Sequence, residues 1–207
     1  MASDLKSANN PKITALLTVV IFLCAGAQYS FAVIPAWEEA LITGALSLGF
    51  SAFLVLLTNL TPHNLKHKLV FTRLSNEMPA CRVDELCKKD IRVSFEDVCT
   101  RWPSVFEDSL CPSERNSRWY KEIYKPVLNE KSVTQAHRDF LLYRDVFSAL
   151  FVMLVVAITW GVWGEIEFVG TINTAVYYIL IGSSLLTLIA ARNSGNRLVM
   201  NAVAAAL

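Results

Sequence analysis

Three histidines and five cysteines carry most of this chain's capacity for metal or nucleophile chemistry. His63 and His67 stand four residues apart, a spacing that sets two imidazoles on one side of a helix and could bring both to one metal ion. The cysteines do not complete such a site. Cys81, Cys87, Cys99 and Cys111 are separated by gaps of five, eleven and eleven residues, so the short Cys-x-x-Cys knuckle of a zinc site is missing. Glu does not follow His63 either, as the helix of a metalloprotease requires. Packed thiols and interfacial imidazoles are the expectation, with no metal and no cofactor.

His137-Arg138-Asp139 spells the tripeptide of kinase catalytic loops, but neither a glycine-rich loop nor Asp-Phe-Gly accompanies it. These residues read better as a salt-bridged set. Arg138, Asp139, Arg144 and Asp145 crowd the polar start of a long helix, and His137 adds a group that titrates near neutrality. Together they form the expected coupling group. Cys111 with His137 is the one pairing that could supply a nucleophile and a base, yet nothing local supports it. A Ser–His–Asp pattern, a P-loop and a dinucleotide fingerprint are all lacking. The chain therefore reads as a non-enzyme.

The segment best suited to hold a ligand is Arg115 to Lys125. Arg115, Arg118, Lys121 and Lys125 alternate there with Trp119, Tyr120 and Tyr124. Guanidinium groups beside aromatic faces can grip a phosphate and stack a base, so a small anionic ligand or a nucleotide is the expected guest. The plainer alternative is an amphipathic helix with its aromatics inward and its cations reaching outward. The net charge of +1 gives no case for nucleic acid.

What must position these groups is a membrane. Hydrophobic residues make up 54% of the chain and mean hydropathy is +0.40, well beyond an ordinary soluble domain. Four stretches, Ile13–Ile34, Leu41–Leu60, Val146–Trp163 and Ile172–Ala191, hold no Asp, Glu, Lys, Arg or His and are long enough to span. The predicted fold is an all-α membrane protein. Its four transmembrane helices form two hairpins, with a mainly helical cytosolic domain inserted between spans 2 and 3.

The boundaries follow: an N-terminal tail over 1–12, a first hairpin over 13–60, the cytosolic domain over 61–143, a second hairpin over 144–191 and an amphipathic C-terminal tail over 192–207. Of the 19 Lys and Arg, 18 lie in the two tails or the central segment and Arg144 stands at its border with the second hairpin, whereas the links 35–40 and 164–171 carry only Glu38, Glu39, Glu165 and Glu167 as charged residues. The positive-inside rule puts both termini and the central domain in the cytoplasm. Thiols on that side stay reduced. Trp37, Trp160 and Trp163 fall where an outer aromatic belt is expected.

The longest element is the run from Ser132 to Trp163, with no proline and no glycine before Gly161. As one helix it measures roughly 46 Å against a bilayer core of about 30 Å. The surplus must leave the membrane. Ser132 is placed as its N-cap, with Gln135 at the capping-box position. Elsewhere, Thr61–Pro62 predicts a new helix through Phe71. Short helices are expected over Val83–Lys89, Phe95–Trp102 with a Ser94 cap, and Glu114–Tyr124 with a Ser113 cap. Leu69–Arg73 and Ile91–Phe95 are the only candidate strands. Gly195 is a candidate helix end or bend, and the apolar residues beyond it suit an interfacial or subunit-contact helix.

The layout resembles the general plan of small bacterial membrane effectors, including those that accompany antiviral defence systems. That resemblance implies an oligomeric inner-membrane protein that senses a ligand or cytosolic partner and alters permeability. The alternatives are a receptor or scaffold that docks a cytosolic protein, and a small lipid-modifying enzyme using His63, His67, His137 and Cys111.

Overall fold

The computed structural model describes residues 8–29, 37–163 and 171–207. Among them every regular element is helical. The links carrying Pro35, Glu165 and Glu167 lie outside the described residues, as do Ser30 and the side chains of Trp37, Glu38, Glu39 and Trp163.

The helices are α1 Asn10–Tyr29, α2 Trp37–Leu60, α3 His63–Phe71, α4 Val83–Cys87, α5 Phe95–Arg101, α6 Pro103–Phe106, α7 Pro112–Trp119, α8 Lys131–Trp163 and α9 Thr174–Ala206. A 3-10 turn at Pro79–Arg82 precedes α4, and a π turn at Tyr120–Tyr124 follows α7. Three helices are long and apolar enough to cross a membrane: Asn10–Gln28 of α1, Lys131–Val162 of α8 and Thr174–Ala206 of α9. Between Ser47 and Leu56, α2 adds a shorter apolar stretch.

Two compact units divide the chain, one from residues 1–66 and 142–189 and the other from 67–141 and 190–207. The first is a helical bundle with an apolar centre at helical spacing. Ile13 and Leu17 of α1, Leu54 and Val55 of α2, Val146, Ala149 and Leu150 of α8, and Val176 and Leu180 of α9 form it. Its outer faces are equally apolar: Val19, Leu56, Val162 and Leu186 are 58%, 63%, 70% and 71% exposed. Water penalises that much uncovered hydrocarbon at about 25 cal/mol per Å², whereas lipid does not. Hydroxyls link helices inside the bundle, Thr18 Oγ1 lying 2.9 Å from Ser51 Oγ.

The second unit packs short helices against the polar start of α8 and the distal part of α9. Val98, Val105, Ile123 and Val133 are fully buried, and so are Ala191, Ala202 and Val203 of α9. Ser94 caps α5 as expected, its Oγ accepting from Asp97 N–H at 3.4 Å.

Four local expectations change. Cys111, not Ser113, holds the N-cap of α7, because Pro112 takes the first helical position where a missing N–H costs nothing. Neither candidate strand forms. Leu69 to Phe71 complete α3, after which Thr72 turns the chain with φ 48°, and Phe95 opens α5. Gly195 neither ends nor breaks α9, which runs through to Ala206. There the glycine serves packing: a Cβ would meet Phe71 Cζ at 2.8 Å and Phe140 at 3.3 Å. Finally, the segment beyond Arg192 is core and not an interfacial tail, since Leu198, Val199, Ala202 and Val203 present one stripe to the second unit and are buried in it.

Candidate functional site

The most unusual chemistry lies in the first unit, where three charged side chains are removed from solvent. Lys66 has no exposed surface, and Arg144 and Asp145 retain 2% each. Lys66 comes from α3, which restarts after Thr61–Pro62. Its N–H and that of Leu65 donate to Pro62 O at 3.2 and 3.1 Å, closing the first turn. Lys66 Nζ then donates to Asp145 Oδ1 at 2.9 Å. Arg144 reaches the same oxygen through Nε at 3.0 Å, with Nη2 also at 3.0 Å. Ser148 Oγ donates to Arg144 O at 2.8 Å.

Buried ions of this kind hold only when paired, because desolvation costs several kcal/mol per charge. Asp145 is also the last charge before the uncharged run Val146–Trp163. Sequence reasoning singled out Arg144 and Asp145 but passed over Lys66 for its neighbours His63 and His67. The missed signal was phase: Lys66 precedes Val70 by four residues, and both are buried on α3.

The four charges expected as one set separate along α8. Asp139 pairs with Arg197 of α9 and accepts from Gln135 Nε2 at 2.7 Å. Asp139 and Asp145 are six residues apart, about 240° around a helix, so they face different neighbours. Arg138 is half-buried. His137 Nδ1 and the Tyr124 hydroxyl share a hydrogen bond, with 2.8 Å between the heavy atoms, and the His137 ring meets Tyr124 edge-on.

The Arg115–Lys125 segment is drawn largely into the second unit. Arg115 is buried, its Nη1 3.0 Å from Asp84 Oδ1 and its Nη2 donating to Glu107 O at 3.2 Å. Arg118 binds Glu114 at 2.6 Å and the Ser104 carbonyl at 2.7 Å. Trp119 stacks on Tyr124, and Tyr124 on Tyr120. The extra residue of the π turn, closed by Lys125 N–H to Tyr120 O at 3.0 Å, buries Trp119, Ile123 and Tyr124 while leaving Tyr120 outward. Burial raises the Tyr124 phenol above its ordinary pKa. Lys121 and Lys125 are exposed. The arginines thus already grip carboxylates and carbonyls of the same chain.

Among the described residues no three His, Cys, Asp or Glu side chains gather as a metal site. His67 stacks on Phe140, while His63 is exposed. Cys111 lies exposed against Ser113 Oγ at 3.2 Å; that hydroxyl and the Glu114 amide lower its pKa. No family model, curated protein or solved structure matches the chain, so its function has to be read from this geometry.

Proposed function

We propose that this chain is a non-enzymatic membrane protein with four spans in two hairpins, and that its second unit stands in the cytoplasm with both termini. As an oligomer, it would convert a binding event on that unit into altered permeability of a bacterial inner membrane. The observation that carries the reading is the sharing of two unbroken helices. α8 and α9 each run 33 residues, about 50 Å against a hydrocarbon core of about 30 Å. In the first unit each has a long uncharged apolar run, on α8 beginning after Arg144 and Asp145, and in the second a part carrying Asp139, Arg192 or Arg197. A rotation or shift imposed on one part is carried to the other, because an unbroken helix has no hinge to absorb it.

In this reading the Lys66–Asp145–Arg144 cluster sets the depth of α8 and keeps α3 in register with it. Charges at that level are tolerated when paired and are costly in hydrocarbon otherwise. The membrane assignment draws independent support from the uncovered apolar faces of all four bundle helices.

Reconstituted liposomes loaded with a self-quenching dye test the proposal. Dye release that appears on adding cytosolic extract or a nucleotide, and is lost in Asp145→Ala, supports it. Intact vesicles under all those conditions overturn the permeability reading. Leu74 and Ile91, 88% and 100% exposed in the second unit, favour a docking scaffold as the second reading. A stoichiometric cytosolic partner without leakage would select that scaffold.

A further inference from the structure

The bundle contains an apolar cavity of about 400 Å³ between α1, α2, α8 and α9. Its floor is core: Cys24, Leu54, Ala157, Val176 and Leu180 are all buried and belong to the apolar centre of the unit. Its rim is open, because Phe50, Phe53 and Val156 are 46%, 52% and 54% exposed. A cavity of this size lies in the range of small-molecule sites, but almost every atom lining it is carbon. The guest must therefore be hydrocarbon.

Length narrows the guest further. The lining residues on α8 run from Val152 to Trp160, and opposite them stand Ile172, just before α9, and Val176 and Leu180 on it. Eight helical steps measure about 12 Å, against about 15 Å for one leaflet of a 30 Å core. The pocket is thus one leaflet deep. Its two ends differ in chemistry. Beside Cys24, one turn further along α1, Gln28 donates through Nε2 to Thr171 O at 3.0 Å and accepts from Asn173 N–H at 2.9 Å. Trp160 and Ile172 line that end, an arrangement of indole beside amide groups that suits the membrane–water boundary. The other end closes on the apolar side chains of Leu180 and Val152.

We infer that this cavity is a lipid site holding one acyl chain of a phospholipid. The chain enters from the leaflet on the side of the α1–α2 and α8–α9 links, with its glycerol end beside Trp160, Gln28 and Asn173. The inference rests on the membrane reading above. It goes beyond it by assigning a site, a ligand class and a leaflet. A chain lodged between four helices has different contacts when their packing changes, so the bound lipid becomes a ligand of that packing.

The test uses the full chain in phosphatidylcholine vesicles containing phosphatidylcholine with a diazirine midway along one acyl chain. The vesicles are dissolved in excess maltoside detergent to dilute surrounding lipid, irradiated, and the adducts mapped by mass spectrometry. Retained lipid attached to Leu54, Ala157 or Val176 is the expected result. Ala157→Phe, which fills the floor, should reduce those adducts roughly tenfold, about 1.4 kcal/mol of affinity, whereas Val19→Phe on the outer face should not.

Adducts spread evenly over Val19, Leu56 and Leu186, or none at all, overturn the assignment. So does a floor shielded by a second copy of the chain. Should Ala157→Phe fail to fold, the wild-type adduct map decides alone. Alkaline carbonate extraction separates the two readings. A chain that stays with the membrane but retains no lipid loses only this site, and one released by carbonate loses the membrane reading as well.

Discussion

Lys66 Nζ lies 2.9 Å from Asp145 Oδ1, with both side chains almost wholly removed from solvent. The pair joins residues 79 positions apart and closes α3 onto α8 at the last charged residue of that helix before its apolar run. Removing Asp145 leaves Lys66 and Arg144 where water is scarce, whereas removing Lys66 leaves Asp145 still answered by Arg144. Asp145→Leu is expected to cost about 3–5 kcal/mol, Lys66→Met less, and the double variant Lys66→Met with Asp145→Leu less than the two single costs combined. Thermal unfolding in detergent reads this as a double-mutant cycle. Additive losses would show that the pair contributes nothing as a pair.

Gly161 and Tyr177 make a second cycle. Tyr177 donates its hydroxyl to Ala157 O at 3.1 Å, in the place a Cβ on Gly161 would need; the ring carbon Cζ is 3.4 Å away. Gly161→Ala should destabilise the protein despite alanine's better helix propensity of about 1 kcal/mol. In the Tyr177→Phe background the same change should be neutral or stabilising. A coupling below about 0.5 kcal/mol would sink the idea.

The cysteines should separate by reactivity. Cys87 is 2% exposed, and burial pushes its thiol up to about 12. Cys111 is exposed and lowered. Iodoacetamide at neutral pH should modify Cys111 first and reach Cys87 only on unfolding, read by peptide mass. The sign of the linkage follows from the raised value. Cys87 supports the fold fully below the pKa of an unfolded thiol, about 8.5, and that support is lost as pH climbs towards 12. Modification of Cys87 before Cys111 in folded protein would contradict the packing described here.

At the other end of the pH scale stands Asp90. Arg92 donates to it through Nε at 2.9 Å and Nη2 at 2.7 Å, and through Nη1 to Asn201 at 2.9 Å, tying the turn after α4 to α9. The Arg92 hydrogen bonds hold the Asp90 carboxyl below its ordinary range. A depressed carboxylate stabilises the fold above its unfolded pKa, about 3.9, and ceases to as pH falls through the folded value. Asp90→Asn should therefore flatten the stability profile below about pH 4, as measured by circular dichroism. An unchanged acid limb would remove Asp90 from the account.

Within the second unit, Gly195→Ala should loosen the Phe71–Phe140 contact, whose ring centroids lie 5.9 Å apart. Phe71 must swing away, and its flexible ring limits the loss to about 1–3 kcal/mol. Near-ultraviolet circular dichroism and unfolding temperature measure it. Full native stability in Gly195→Ala would show that the close approach is not required.

Much of the architecture could be read from residue types. Runs without charge, the absence of proline from Val133 to Trp163 and the cap at Ser94 depend only on neighbours within a turn or two, so helices and their polarity were legible. The strand expectations at Leu69–Arg73 and Ile91–Phe95 failed where short apolar runs suit either conformation and packing decides. Gly195 misled because a glycine that ends a helix and one that admits a ring look alike in a list of residues. Arg115 and Arg118 looked like ligand grips because their carboxylate partners are not all near in sequence: Asp84 is 31 positions before Arg115.

The sequence by itself determined that this chain is helical and that its long apolar helices suit a membrane, since hydropathy and helix propensity are local and additive. Only the tertiary structure decided that Lys66 answers Asp145, that α9 continues past Gly195 into the core of the second unit, and that four helices leave a cavity between them. Those facts depend on which distant surfaces meet, and the energy of a buried charge or an open space is set by what lies opposite it.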